Sequence, residues 1–177
     1  MTRKTVTVFA ATGNAGRECV EEMIGLQTFN VQVLARRSGQ AEKSTSGVAR
    51  DGGDKQRLYA RWRESGVGIK EVDATNHAEL IPALQGTDYL VSCVPTGSTE
   101  SQYPLIWAAK EAGVERFVPS EFGAIYEFEQ FWPTDTVHRT WARQKVFIRR
   151  VIELAGLDFT IIPAGLWPEY YMLEPVR

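Results

Sequence analysis

Two features of the sequence predict an α/β fold with a doubly wound parallel sheet. Short apolar segments rich in β-branched residues alternate with helical patterns along the whole chain, which is typical of a parallel sheet covered by helices on both faces. The first apolar segment also runs into a glycine turn that opens a helix at once. Right-handed crossovers then favour the strand order 3-2-1-4-5-6.

Each element has a local signal in the sequence. Strands are short apolar runs that stop at a proline, a glycine or a charged residue, and helices carry apolar residues on one face and end near a glycine. Segments rich in serine, glycine or aromatic residues predict loops at 37–54 and 120–136. In chain order the predicted elements are a strand from residue 4, a helix to residue 24, strand 31–35, helix 54–65, strand 68–72, helix 77–84, strand 88–94, helix 98–112, strand 115–118, helix 137–155 and strand 159–162.

Composition restricts the class of protein. The chain has 177 residues, 44% hydrophobic and 24% charged, which suits one globular domain with a sizeable core. Its net charge of −2 gives no general affinity for nucleic acid, and no apolar stretch is long enough to span a membrane. Lacking a signal-peptide pattern and a metal-ligand cluster, it is expected to be cytoplasmic and free of metal. Cys19 and Cys93 are expected to be small core residues rather than a disulfide.

The glycine turn is the most informative segment. It reads TGNAG at residues 12–16, and backbone N–H groups at the start of the following helix can face a diphosphate. Gly13 and Gly16 keep the second and third glycines of the G-x-x-G-x-x-G spacing, whereas Ala10 replaces the first. Such turns also join strands to helices for purely structural reasons, so the turn alone does not define the ligand.

The carboxyl ends of the predicted strands mark one candidate site, because ligands of doubly wound sheets bind beyond those ends. The residues there combine small, polar and charged side chains. The candidate cofactor-binding residues are Thr12, Gly13, Asn14, Ala15, Gly16, Arg36, Arg37, Asp73, Val94, Pro95, Ser120, Glu121, Phe122, Lys145, Pro163 and Gly165.

Arg36 and Arg37 directly follow the second predicted strand. An acidic residue at this strand end holds the ribose hydroxyls in proteins that bind NAD, whereas an arginine pairs with the 2′-phosphate of NADP. Alternatively, the two arginines begin a solvated loop. With the glycine turn beside them, we favour NADP(H).

The long helix at 137–155 carries the candidate catalytic residue, Lys145. It lies at the edge of the apolar helix face, from which it could hold a ribose or move protons. The alternative is a lysine whose ammonium reaches out to solvent. Glu121 is a candidate acid or the cap of a turn, and the Arg149-Arg150 pair is expected on a solvated face.

Four segments carry a family pattern: TGNAG at 12–16, VLARRS at 33–38, LIWAAKEAGVERFVPSEFG at 105–123 and KVFIRRVIELAGLDFTII at 145–162. Together they resemble the isoflavone-reductase-like and NmrA-like branch of the atypical short-chain dehydrogenases. The PSEFG run followed by a K-x-x-x-R-R-x-I-E helix is specific to that branch.

The resemblance implies that residues 1–177 form an NADP(H)-binding Rossmann domain. In the reductase members it implies hydride transfer to a small aromatic compound of isoflavone or phenylpropanoid type. It assigns the phosphate loop to Gly13, Asn14 and Gly16, the 2′-phosphate to Arg36 and catalysis to Lys145. The expected partners are a small aromatic substrate and, for some members, another protein or a second copy of the chain.

Departures from the family pattern leave a second function open. Trp141 occupies the tyrosine position of a Tyr-x-x-x-Lys pair, and Gly165 stands where reductases are expected to carry asparagine. Family members continue past the sixth strand into a smaller substrate-binding region, so we expect that region to be absent here. The main rival to a reductase is a non-catalytic NmrA-like protein that binds NADP(H) and reports redox state to a protein partner. A third alternative is a plain binding module whose glycine turn holds another nucleotide.

Overall fold

A computed structural model describes residues 2–37, 52–123 and 136–165 of the chain. The strands and helices follow each other in the predicted alternation. They are β1 (Thr5–Phe9), α1 (Asn14–Leu26), β2 (Asn30–Arg36), α2 (Gly52–Glu64), β3 (Gly68–Val72), α3 (His77–Leu84), β4 (Tyr89–Ser92), a 3-10 helix (Thr96–Ser101), α4 (Gln102–Glu111), β5 (Arg116–Val118) and α5 (Val137–Leu154).

Parts of three predicted features lie outside the described residues. They are residues 38–51 of the predicted first loop, residues 124–135 of the aromatic segment and residues 166–177. The sequence offers the aromatic residues Trp167, Tyr170 and Tyr171 as candidate walls of a substrate pocket, and all three belong to the last of these ranges.

The sheet has the predicted doubly wound order. Its five strands run β3-β2-β1-β4-β5, and every pairing within the described residues is parallel. The prediction of strands 1 to 5 and of their order is therefore confirmed. The strand β1 lies at the centre, so its carboxyl end, which leads into the glycine turn, is flanked by the carboxyl ends of β2 and β4.

The prediction of a sixth strand at 159–162 is wrong in its length. Within the described residues it is a single parallel bridge between Phe117 and Phe159. The N–H of Phe117 donates to Asp158 and the N–H of Thr160 donates to Phe117, at 2.8 and 3.0 Å. The next donor along β5 would be Pro119, which has no N–H, so the ladder cannot continue.

The predicted helix at 98–112 is divided in two. A 3-10 helix ends at Ser101, with Ser98 outside helical geometry, and α4 begins at Gln102. The break places Pro104 in the first turn of α4, where a missing N–H costs no helical hydrogen bond.

Two hydrophobic clusters cover the two faces of the sheet. Consecutive residues of β1 point to opposite faces, and Val8 joins the cluster under α1 and α2 while Phe9 joins the cluster under α3, α4 and α5. Ile148 and Ile152 bury the apolar face of α5 as predicted. No helix in the described ranges is long and apolar enough to cross a membrane.

Both cysteines are free thiols at the contact between α1 and the end of β4, as predicted. The hydrogen bond from the Cys93 thiol lowers the pKa of Cys19 to about 7. The same hydrogen bond, together with burial, raises the pKa of Cys93. The more exposed of the two thiols therefore ionises first.

Gly16 sets how closely α1 approaches β1. A Cβ atom at Gly16 would lie 2.5 Å from the carbonyl oxygen of Ala10 and 2.7 Å from the Cα of Ala11. Both atoms are main-chain atoms, so no side-chain rotation can relieve the overlap. Only glycine permits this separation between the helix and the strand end.

We expect Gly16→Ala to lower the free energy of unfolding by about 2 kcal/mol or more, because the strand end or the helix must move to admit a methyl group. The matched control is Gly25→Ala in the same helix, where a Cβ meets nothing within 4 Å. There alanine should raise stability by roughly 0.5–1 kcal/mol. Urea unfolding of both variants measures the difference, and equal stabilities would contradict the packing argument.

Candidate functional site

The loop between β1 and α1 presents a helix N-terminus at the carboxyl edge of the sheet. Gly13 is the N-cap, extended at φ −72° and ψ 175°, and it has no side chain with which to cap the helix. Its N–H donates to the Ala10 oxygen at 3.2 Å, and its own oxygen accepts from the N–H of Arg17 at 2.9 Å. The first turn of α1 contains no acidic residue, which leaves its positive end uncompensated by a local carboxylate.

Ala10 occupies the position of the first glycine of the pattern, and its backbone has a conformation that favours glycine. Its φ is +57°, in the left-handed region that glycine adopts readily and alanine does not. The chain keeps the loop geometry of the G-x-x-G-x-x-G pattern despite the substitution. The replacement of the first glycine by Ala10 therefore affects backbone energy.

Hydrogen bonds link this loop to the next strand ends. The N–H of Cys93 donates to Phe9 at 3.0 Å, and the hydroxyl of Ser120 donates to the carbonyl oxygen of Val94 at 2.7 Å. The N–H of Ser120 donates to the side-chain oxygen of Gln102 at 2.9 Å. Gln102 is 1% exposed, and the sequence carries no signal for its role because it starts an ordinary amphipathic helix.

Lys145 and Arg149 of α5 meet the segment that follows β5. The Lys145 ammonium donates to the main-chain oxygen of Glu121 at 3.2 Å. Nε and Nη2 of Arg149 donate to the two carboxylate oxygens of the same residue, at 3.0 and 3.1 Å. Glu121 is 2% exposed, Lys145 5% and Arg149 8%, so this is a buried charged cluster at the carboxyl edge.

One expectation and one alternative for this helix are wrong. Arg149 is not on a solvated face, although its neighbour Arg150 is exposed. Lys145 does not reach out to solvent, and burial lowers its pKa below the ordinary lysine value. The charge of Glu121 raises the pKa of Lys145 and that of Arg149 lowers it further. With both its carboxylate oxygens bound by Arg149, Glu121 is poorly placed to act as a free acid.

The carboxyl end of β2 carries positive charge. Arg36 is exposed there, while the guanidinium of Arg37 donates to Glu79 at 2.7 Å. Lys55 of α2 lies near enough to Arg36 for its pKa to be lowered, chiefly by burial and secondly by the Arg36 charge. Sequence reasoning did not select Lys55, because only the fold brings α2 to this strand end.

The other candidates at the edge have structural contacts. Asp73 accepts from both the N–H and the hydroxyl of Thr75, at 2.9 and 2.7 Å, and so shapes the turn before α3. Phe122 packs on the cluster under α1 and α2, as does Ala15. Gly165 has φ +74°, and its N–H donates to Gly123 at 3.0 Å, which brings the segment after Pro163 beside the segment after β5.

The strand order and the glycine loop define a Rossmann-type dinucleotide-binding domain. The sequence model that describes the NmrA-like family matches residues 2–174. The chain therefore belongs to the NmrA-like family, and the recognition of its isoflavone-reductase-like branch is confirmed.

Relatives with known activities are similar over nearly the whole chain. Phenylcoumaran benzylic ether reductase PT1 of Pinus taeda is 30% identical over 96% of this chain and 51% of its own length. Isoflavone reductase of Pisum sativum is 28% identical over 97% of this chain and 53% of its own length. The structure of AtPrR2 with NADP+ and (+)-pinoresinol superimposes with a TM-score of 0.80 at 26% identity, covering 97% of this chain and 53% of that one. The chain thus spans about half the length of the relatives it matches.

Replacing Ala10 with glycine should stabilise the domain. The left-handed backbone at Ala10 costs alanine about 1 kcal/mol, which outweighs the added flexibility of glycine in the unfolded chain, so we expect a gain of roughly 0.5 kcal/mol or more. Residue 15 lies in the right-handed helix α1, two residues after Gly13. Ala15→Gly should therefore lower the free energy of unfolding by about 1 kcal/mol. Thermal unfolding with calorimetry measures both, and a loss of stability in Ala10→Gly would refute the strain assigned to this residue.

Proposed function

We propose that this chain is the NADP(H)-binding domain of a reductase that transfers a hydride to a small aromatic compound. The observation that carries the proposal is the buried Lys145 at the carboxyl edge of the sheet, linked through Glu121, Ser120 and Val94 to the strand ends beside the glycine loop. A plain nucleotide-binding module has no need of a desolvated lysine at this edge.

The glycine loop supplies the diphosphate site of this proposal. The first amides of α1 have no acceptor within the helix, and its first turn contains the cation Arg17 in place of the acid that a helix start favours. A cation there is unfavourable for the helix alone and becomes favourable when an anion binds. Gly16 allows the helix start to lie against the strand end, where a dinucleotide can reach it.

Positive charge at the end of β2 supports NADP(H) over NAD(H). Arg36 is exposed and its charge acts on Lys55, so two cations lie where the adenosine ribose of a dinucleotide is bound in this fold. A 2′-phosphate would relieve the repulsion between them and accept hydrogen bonds from the guanidinium. Arg37, already paired with Glu79, would contribute less.

In the proposed reaction NADPH supplies a hydride, and the substrate oxygen that gains charge takes a proton. Lys145 is the proposed donor of that proton. Burial lowers its pKa, which makes the ammonium a better proton donor near neutral pH than a solvated lysine. The hydrogen bond to the Glu121 carbonyl fixes the position of the amine before the substrate arrives.

The names of the relatives support a proposal for the substrate class. The reductases named for phenylcoumaran benzylic ethers and isoflavones, and the structure solved with (+)-pinoresinol, all refer to phenylpropanoid-type aromatic compounds. We propose a compound of this class for the complete protein. Tight NADPH binding with no turnover of any such compound would instead favour the redox-sensing regulator.

Cofactor choice tests the site at β2. We expect NADPH to bind at least about tenfold more tightly than NADH, because the guanidinium of Arg36 forms charged hydrogen bonds with the 2′-phosphate. Arg36→Ala should remove most of that preference and leave NADH binding unchanged. The control is Arg37→Ala, which should retain most of it because Arg37 is paired with Glu79. Fluorescence titration measures the six affinities of the three proteins for the two dinucleotides; equal binding of the two dinucleotides by the unchanged protein would contradict the assignment.

Turnover tests Lys145. In the complete gene product we expect Lys145→Met to lower kcat by about 100-fold or more, the usual contribution of a positioned proton donor, with NADPH affinity changed little. The matched control is Lys70→Met, since Lys70 of β3 is partly buried and also donates to a main-chain oxygen, that of Ala83 in α3, at 2.7 Å. NADPH oxidation with aromatic enones and benzylic ethers is the measurement. Activity within about threefold of the unchanged enzyme would exclude a catalytic role for Lys145.

A further inference from the structure

We propose that Cys19 and Cys93 form a redox-active thiol pair, which a hydroperoxide oxidises to an intramolecular disulfide that weakens dinucleotide binding at the adjacent glycine loop. The oxidation is independent of the proposed reductase activity. Its effect on binding rests on the dinucleotide site of the proposed function.

The two thiols meet in the layer between α1 and the sheet. Cys19 packs on the cluster under α1 and α2, as does Ala15 four residues before it on the same side of the helix. Cys93 directly follows β4 and belongs to that cluster together with Val91, since alternate residues of an extended chain share one face. A side-chain hydrogen bond joins Cys19 to Cys93. The two sulfur atoms are therefore neighbours with no side chain between them.

The surroundings give the two thiols different chemical roles. Cys19 is half-buried, whereas Cys93 is 7% exposed. The hydrogen bond from Cys93 lowers the pKa of Cys19 to about 7, although burial and the charge of Glu18 act in the opposite direction. An accessible thiolate beside a second thiol is the arrangement that supports reversible oxidation. Cys19 is accordingly the thiol that reacts with the oxidant, and Cys93 is the thiol that closes the disulfide.

The oxidation takes place in two steps. The Cys19 thiolate attacks a hydrogen peroxide oxygen, so that an S–O bond forms, the O–O bond breaks and the departing hydroxide takes a proton to become water. The Cys93 sulfur then loses its proton and attacks the Cys19 sulfur. An S–S bond forms, the S–O bond breaks, and the second hydroxide leaves as water with the Cys93 proton. Two electrons pass from the thiols to one peroxide, which becomes two waters.

The disulfide lies beside the glycine loop. A Cβ atom on Gly13 would be 3.9 Å from the carbonyl oxygen of Cys93, and the N–H of Cys93 donates to Phe9 at 3.0 Å. A disulfide joins its sulfurs at about 2 Å, shorter than any hydrogen bond between them, so it draws α1 and the end of β4 together. At Gly16 the helix already lies against main-chain atoms and cannot move inward. The movement therefore displaces the loop whose amides would face the diphosphate.

Thiol counting tests the disulfide directly. The sequence contains two cysteines, so every lost thiol belongs to this pair. The reduced chain is treated with a small excess of hydrogen peroxide, the remaining thiols are alkylated, and the mass is measured before and after addition of dithiothreitol. We expect both thiols to disappear together in monomeric protein, a disulfide-linked peptide pair containing Cys19 and Cys93, and full recovery of the thiols with dithiothreitol.

Two substitutions at residue 93 separate the roles of the thiols. Cys93→Ser keeps a hydrogen-bond donor for Cys19 but cannot form the disulfide, so Cys19 should stop at the sulfenic acid, which dimedone traps. Cys93→Ala also removes the donor, and alkylation of Cys19 near neutral pH should be about tenfold slower than in Cys93→Ser, because less of it is thiolate. In guanidinium chloride the two variants should react at equal rates, since the folded surroundings are then lost.

Dinucleotide affinity tests the effect on the loop. We expect the oxidised protein to bind NADPH at least about threefold more weakly than the reduced protein, and by reciprocity bound NADPH should slow the oxidation. Dithiothreitol should restore the affinity. The matched control is Cys19→Ser, which should keep its affinity after the same peroxide treatment because it cannot form the disulfide.

Contrary results are equally clear. Thiols that survive the peroxide, a disulfide found only between two copies of the chain, or oxidation of Cys19 to sulfinic acid without a disulfide would each overturn the proposal. An unchanged NADPH affinity in fully oxidised protein would overturn its effect on the loop. If the reduced protein binds no NADPH, the dinucleotide site is wrong, while thiol counting, which needs no cofactor and no variant, still decides the disulfide.

Discussion

The parallel pairing of the central strand is the constraint on which the site depends. The strand β1 is paired in parallel with β2 on one side and β4 on the other, so three carboxyl ends lie side by side. The helix α1 must start at once at that edge, and only a glycine at position 16 lets it lie against the strand end. The backbone amides, the Arg36 charge and the Ser120 contact to Val94 are brought to one edge as a consequence.

The buried ion pair at this edge is poorly explained by stability alone. Removing both a carboxylate and a guanidinium from water costs several kcal/mol, which the mutual attraction of such a pair often only balances. An apolar pair of similar volume would serve the packing of α5 equally well. Beside Lys145, the pair holds the side chain of the same residue whose main-chain oxygen the ammonium binds.

Ala10 and Gly16 show two different reasons for glycine in one loop. At position 16 the limit is space, since the nearest atoms to an added Cβ belong to the main chain. At position 10 the limit is the backbone angle, and alanine adopts φ +57° at some cost in free energy. The loop geometry therefore survives loss of the first glycine, while loss of the third would change the packing of the helix.

The sequence by itself determined the order of the strands and helices and most of the residues at the carboxyl edge of the sheet. Apolar periodicity located the five strands because burial on both faces selects continuous β-branched runs, and the glycine turn and the arginines identified two positions on the carboxyl edge of the sheet. It could not determine the length of the sixth segment, which depends on how Pro119 interrupts a ladder with a distant residue. Nor could it determine the environments of Arg149, Lys145 and Lys55. Helical spacing shows which residues share a face, but whether a charge on that face is solvated or buried depends on the segment that packs against it. Only the tertiary structure places Glu121 there.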